Sequence, residues 1–246
     1  MRALMLRLFC AMLSLGLLFG CSSETFNRLT TFSELTTMQE ADRAYYNQDY
    51  VKAYELYQAE ARDGNGAAQV MAGKMSAHGD GTPLDLKQAF KWYQMAAQQN
   101  IAEAQLFLGY MYEDGIGIPR NYGEAFKFYQ RAADQGLADA QYELGKLYQA
   151  GQGVQNDLNE ALKWYSLAAR EGNIDAQYSL GLMYLDGVGI KQNFIEAYAW
   201  LSVAAENGHE PAAGFVSLIN MRLTQIQMSD AEKLANNYHA RFSRKP

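Results

Sequence analysis

Four stretches of this chain of 246 residues align with one another at a spacing of 36 residues without a gap. A period of that length is the signature of a stack of supersecondary units, each too small to bury its own apolar face and each covered by its neighbours. Ala68-Gln69 returns as Ala104-Gln105, Ala140-Gln141 and Ala176-Gln177, with Ala212 at the next position. Gly73, Gly109, Gly145 and Gly181 keep the same interval, as do the pairs Gly79/Gly81, Gly115/Gly117, Gly151/Gly153 and Gly187/Gly189. So do Trp92, Phe128, Trp164 and Trp200, and the Ala-Ala pairs that begin at Ala96, Ala132, Ala168 and Ala204. The full units are taken as 68–103, 104–139, 140–175 and 176–211.

Within a unit the residues predict helix, tight loop, helix. Asp85, Asn121, Asp157 and Asn193 stand where a second helix needs an N-cap, with Gln88, Glu124, Glu160 and Glu196 three residues on. That is the spacing of a reciprocal capping box. Gly136, Gly172 and Gly208, with Asn100 in the first unit, are placed to end that helix in a left-handed residue. Small Ala side chains let helices approach, and the Trp/Phe series is expected in the core between units. Ala53, Leu56-Tyr57, Ala61 and Gly64 repeat the second-helix pattern one period earlier, so 39–67 is expected to be a capping helix pair. At the other end 212–246 is expected to cap the stack. There Ser229 to Glu232 form a fresh capping box, and Ala231, Leu234, Ala235, Tyr238 and Phe242 form one apolar face.

The pattern A-Q-x-x-L-G-x-M-Y-x-D-G-x-G-I, followed by E-A-x-x-W/F-Y-x-x-A-A-x-x-G, is matched closely at 104–136 and 176–208. Across about residues 40–212 the chain resembles the Sel1-like repeat family, relatives of the tetratricopeptide repeats. The first unit departs most, with Ser76 where the others carry Tyr112, Tyr148 and Tyr184. The resemblance implies an all-α, right-handed superhelical solenoid of antiparallel helix pairs, with the first helix of each pair lining the concave surface.

The N-terminus reads as a processing signal, not as part of the fold. Arg2 and Arg7 precede the apolar run Leu8 to Leu18, about half the length that spans a bilayer. Leu18-Phe19-Gly20-Cys21 resembles the lipobox of bacterial lipoproteins, in which the cysteine becomes the lipid-bearing first residue. Residues 1–20 are therefore expected to be cleaved, Cys21 to be the lipidation site, and 21–38 to be a Ser/Thr-rich tether. Ser22, in place of an aspartate, favours the outer membrane, facing the periplasm. Cys10 and Cys21 are the only cysteines, so the folded body has no thiol chemistry. Cleavage removes two basic residues and no acid, taking the net charge from −6 to −8. A surface that acidic repels phosphate backbones, and nucleic acid is not an expected partner.

The copies of the first helix differ most along one face. On a helical wheel, positions 70, 71, 74, 77 and 78 and their equivalents fall within an arc of about 120°, opposite the repeat-invariant half. In a solenoid, a face released from stacking yet still aromatic is where a partner binds. Leu106, Phe107, Tyr110, Tyr142, Tyr178 and Leu182 are the candidate anchors, and Lys146, with Lys74, is a candidate partner for acidic groups. The competing reading is that several of them pack against the adjacent repeat. Catalysis has little to stand on: His78, His209 and His239 are widely spaced, and no metal-protease, nucleophile-elbow or phosphate-loop motif is present. The expectation is a non-enzymatic, lipid-anchored envelope scaffold without metal or cofactor, binding a protein or peptide. The alternative is a module for peptidoglycan or another envelope polysaccharide, with weak β-lactamase-like or hydrolytic activity.

Overall fold

The computed structural model describes residues 36–242; the expected signal peptide, Cys21 and most of the expected tether lie outside them. Among the described residues there are twelve helices and no strand. They form six consecutive steps. α1 (Thr37–Tyr46) and α2 (Tyr50–Arg62) precede four like pairs: α3 (Gly66–His78) with α4 (Leu86–Gln98), α5 (Ala102–Asp114) with α6 (Tyr122–Ala133), α7 (Ala138–Ala150) with α8 (Leu158–Arg170), and α9 (Ile174–Asp186) with α10 (Phe194–Glu206). α11 (Glu210–Asn220) and α12 (Gln225–Phe242) close the chain. From α1 to α11 each helix packs on the next, and the molecule is a right-handed superhelical solenoid of antiparallel pairs.

The 36-residue invariants now have physical causes. A Cβ on Gly109 would lie 2.2 Å from the Tyr129 ring, and one on Gly145 would lie 2.7 Å from the Tyr165 ring. The glycine of each first helix is therefore the floor on which the second helix of the same pair lays an aromatic ring. In the last pair Leu201 takes the place of the tyrosine against Gly181. The second glycine of each loop does a different job. Gly153 has φ +71°, and a Cβ there would meet the Tyr122 carbonyl oxygen at 2.2 Å, so it seats the loop on the first turn of the preceding second helix.

The Ala-Gln pair forms a buried polar ladder along the stack. Gln69, Gln141 and Gln177 donate through Nε2 to the carbonyls of Ala61, Ala133 and Ala169, closing exposed ends of the preceding second helices. Each Oε1 is positioned to accept from the residue thirty places on: Gln99 to Gln69 at 2.8 Å, Gln135 to Gln105 at 2.7 Å, and Asn207 to Gln177 at 3.0 Å. The third rung has Glu171 there, and the buried Gln141 Oε1 is left without a partner.

Three local expectations change. The expected reciprocal capping boxes of α4, α6, α8 and α10 are one-sided. Asp85, Asn121, Asp157 and Asn193 accept from the amide three residues on. Their own amides donate not to the glutamine or glutamate but to the carbonyls of Ser76, Tyr112, Tyr148 and Tyr184, at the ends of the first helices. The freed carboxylates pair elsewhere, Glu124 with Lys127 and Glu160 with Lys163. The N-terminal cap starts at Thr37, inside the stretch read as tether, because Thr36 and Gln39 do form a reciprocal box. The last helix starts at Gln225, ahead of Ser229, because Thr224 and Gln227 cap each other.

α12 closes the molecule by folding back along α10 and reaching α8. Trp200 takes Tyr238 at 4.4 Å and Phe242 at 5.6 Å between ring centroids. Tyr238 donates to Glu196, the Phe242 carbonyl accepts from Gln177, and His239 contacts Glu206 at 2.6 Å. α11 is thus a first helix without a second one beside it, and Leu218, Met221 and Ile226 are exposed at that end.

Candidate functional site

The expected arc of the first helices is not uniform. Its outer edge, at His78, Asp114, Ala150 and Asp186, is open to solvent. Its inner edge, at Val70, Leu106, Tyr142 and Tyr178, leans on the next first helix. Leu106 is only 6 % exposed and packs with Ala140 and Leu144 of the following unit, so it supports the surface from beneath instead of offering itself to a partner. The larger rings of Tyr142 and Tyr178 at the same position outgrow that slot and stay half-buried. Phe107, Tyr110, Lys146 and Leu182 are half-buried as well, Leu182 against the cluster around Leu201 and Ala212.

These side chains recur on the first helices of successive repeats, each group packed on rings behind it. Phe107 stacks on Tyr93 at 4.9 Å and leads to Tyr110 at 6.4 Å, which stands edge-on to Tyr129 at 5.6 Å. Tyr142 lies 5.7 Å from Tyr165, and Tyr178 stacks on His209 at 4.0 Å with Phe215 beyond. The Lys74 ammonium sits 5.3 Å over the Phe107 ring, and that of Lys146 sits 5.5 Å over Tyr142. Such contacts hold the rings in place, a precondition for binding without a large ordering cost.

The row carries carboxylates along its length. Lys74 pairs with Glu103 at 2.5 Å, and Lys146 pairs with Glu143, which is 7 % exposed. Tyr129 donates to Glu113 at 2.6 Å, as Tyr165 does to Gln149 at 2.7 Å. Burial pushes the Glu143 carboxyl above the ordinary glutamate range, the charges of Glu113 and Asp139 add to the rise, and Lys146 opposes it. Burial, with Glu143, Asp139 and Glu113 close by, likewise holds the Tyr110 phenol well above its usual value. Asp175 acts on Tyr142 in the same sense.

Two groups of participants lay outside the expected arc. The second-helix tyrosines 93, 129 and 165 reach through to support the row from behind. Glu103, Asp139 and Asp175, one residue before each Ala-Gln pair, edge it with negative charge. Both groups were visible as 36-residue series; what the wheel of a single helix does not show is that a neighbouring helix delivers them to the same face. The histidines do not meet: His78 is at the exposed end of α3, His209 is against Tyr178, and His239 is on α12 beside Glu206. Among the described residues no group of His, Cys, Asp and Glu could hold a metal ion, and no helix is long and apolar enough to cross a membrane.

Comparison with known proteins agrees with this architecture. The Sel1 repeat family model matches residues 43–65, 66–101, 102–137, 138–173 and 174–209, whose last four segments each hold one first helix and one second helix. A Sel1 repeat protein from Oxalobacter formigenes is similar in structure with a TM-score of 0.72 and 28% identity, over 85% of this chain and 92% of that one. The protective antigen c5321, present in uropathogenic Escherichia coli strains and displaying an SLR fold, is similar with a TM-score of 0.58 and 24% identity. That likeness covers 87% of this chain and 55% of that one. No curated protein matches the chain.

Proposed function

Because this chain belongs to the Sel1 repeat family, whose solenoids serve as protein-interaction scaffolds, we propose that it is a lipid-anchored scaffold of the bacterial cell envelope. In this reading it holds a protein partner along the row of first helices. The observation that carries the proposal is the series of half-exposed rings on successive first helices, Phe107 and Tyr110, then Tyr142, then Tyr178, each group held from behind: Phe107, Tyr110 and Tyr142 by second-helix tyrosines, and Tyr178 by His209 and Phe215. Aromatic side chains fixed in this way give large contact area at small entropic cost, and they dominate interface energetics. In this reading the function is binding, supported by rings of the face that are engaged in stacking among the described residues.

The anchor rests on the sequence before residue 36: the charged start, the short apolar run and Cys21, whose lipid would hold the solenoid at the outer membrane facing the periplasm. Changing Cys21→Ala is expected to release the protein from the membrane fraction; continued membrane retention would remove the anchor from the proposal. The binding face is tested by a photo-crosslinker at Tyr110 in the native envelope. One dominant crosslinked protein is the expected result. Captured envelope glycan, or nothing above background, would overturn it in favour of a cell-wall module.

A further inference from the structure

The first-helix face has a charge imbalance that its own lysines do not correct. Around the rings of Tyr110 and Tyr142 stand Glu113, Asp139, Glu143 and Asp175; Lys146 pairs with Glu143, and Asp175 lies 3.8 Å from His209. Lys146 is held by Glu143, and Lys74 by Glu103. Glu113 and Asp139 have hydrogen bonds, from Tyr129 and from the Asn173 amide at 2.8 Å, yet neither has a lysine or arginine partner among the described residues. The face also shows twice what a cation does there, with an ammonium over Phe107 and another over Tyr142.

We propose that the segment bound on this face is an extended basic peptide, whose arginine or lysine side chains lie against the Tyr110 and Tyr142 rings and pair with Glu113 and Asp139. The inference rests on the reading of this face as the partner surface and names the chemistry of the partner. Three observations bear on the peptide. Glu143 is nearly buried and takes up Lys146, so the nearest lysine is committed within the face and leaves Glu113 and Asp139 without a cation of their own. Negative partners, including phosphate backbones, acidic lipid surfaces and acidic peptides, meet repulsion along the same face. Packed helices repeat at about 10 Å, and an extended chain rises about 3.3 Å per residue. A basic residue roughly every third position therefore keeps step with the row from Phe107 to Tyr142.

The test is selection of a random nonapeptide display library on the full chain, followed by binding of the enriched peptides to Glu113→Gln and Asp139→Asn. These substitutions remove charge while keeping shape, and unchanged helicity and melting identify variants that still fold. Enrichment of Arg and Lys is expected, with binding about ten-fold weaker in the charge variants and weaker as salt is raised. Enrichment of neutral or acidic peptides, no enrichment, or equal binding by the variants would overturn the proposal. Tyr110→Ala separates the two ideas. If non-basic peptides are selected and lose binding in Tyr110→Ala, the face stands and its basic specificity falls. If selected peptides bind Tyr110→Ala unchanged, both fall.

Discussion

Gln141 occupies the same place as Gln69, Gln105 and Gln177, but its Oε1 has no donor because residue 171 is a glutamate where the other rungs have Gln99, Gln135 and Asn207. A buried acceptor without a partner costs about 1–3 kcal/mol. Glu171→Gln restores the donor at an exposed position and is expected to stabilise the fold by about 1 kcal/mol, read as a higher urea midpoint with an unchanged slope. The period alone marked Gln141 as equivalent to its counterparts; it did not show that the equivalence fails at its partner, thirty residues away. The same distinction governs the site. That Phe107, Tyr110, Tyr142 and Tyr178 share one partly open face was legible because a helical wheel collects residues of one helix. Leu106 was not separable from them, since an apolar side chain reads alike whether the next unit covers it or leaves it open.

At the scale of one helix, sequence and structure agree on where the second helices begin and disagree on how. Asp85, Asn121, Asp157 and Asn193 are the N-caps, as their chemistry requires, but the carboxylates three residues on do not return the bond. The first helix ends nearby and offers a carbonyl to the capping residue's amide, so the side-chain acceptor is redundant. This separates two substitutions that a reciprocal box would make alike. Asn121→Ala is expected to destabilise by about 1 kcal/mol, whereas Glu124→Ala loses only an exposed pair with Lys127, worth about 0.5 kcal/mol or less. Comparable losses in the two would show that the box is closed in solution. The start of α12 was misread for a related reason: Thr224-x-x-Gln227 and Ser229-x-x-Glu232 are both valid helix starts by local chemistry, and the earlier one leaves the later inside the helix.

For the whole molecule, helix pairs, their order and their stacking followed from the 36-residue interval, because nearest-neighbour units leave little topology to decide. The fold-back of α12 did not follow from it, since it breaks that rule by returning to α10 and α8. Ending the chain after Leu223 is expected to uncover Trp200, shift its fluorescence to the red and lower stability by about 2 kcal/mol or more through the loss of the Tyr238 and Phe242 contacts. An unshifted emission would mean that the helix does not cover Trp200 in solution.

That returning helix also gives the molecule a mechanical direction. Pulled from its two ends, a stack of like units should lengthen in steps, each releasing 36 residues or at most roughly 130 Å of chain. Here the C-terminal end is fastened sideways across two units, so force applied there first peels α12 from α10, and only afterwards reaches α11 and the repeats behind it. Among the described residues the N-terminal end has no such fastening, and there α1 and α2 meet the load directly. If that end is tied to a membrane and a partner pulls on the body, extension would begin beside the anchor, while the first-helix rings keep their shape until α1 and α2 have given way.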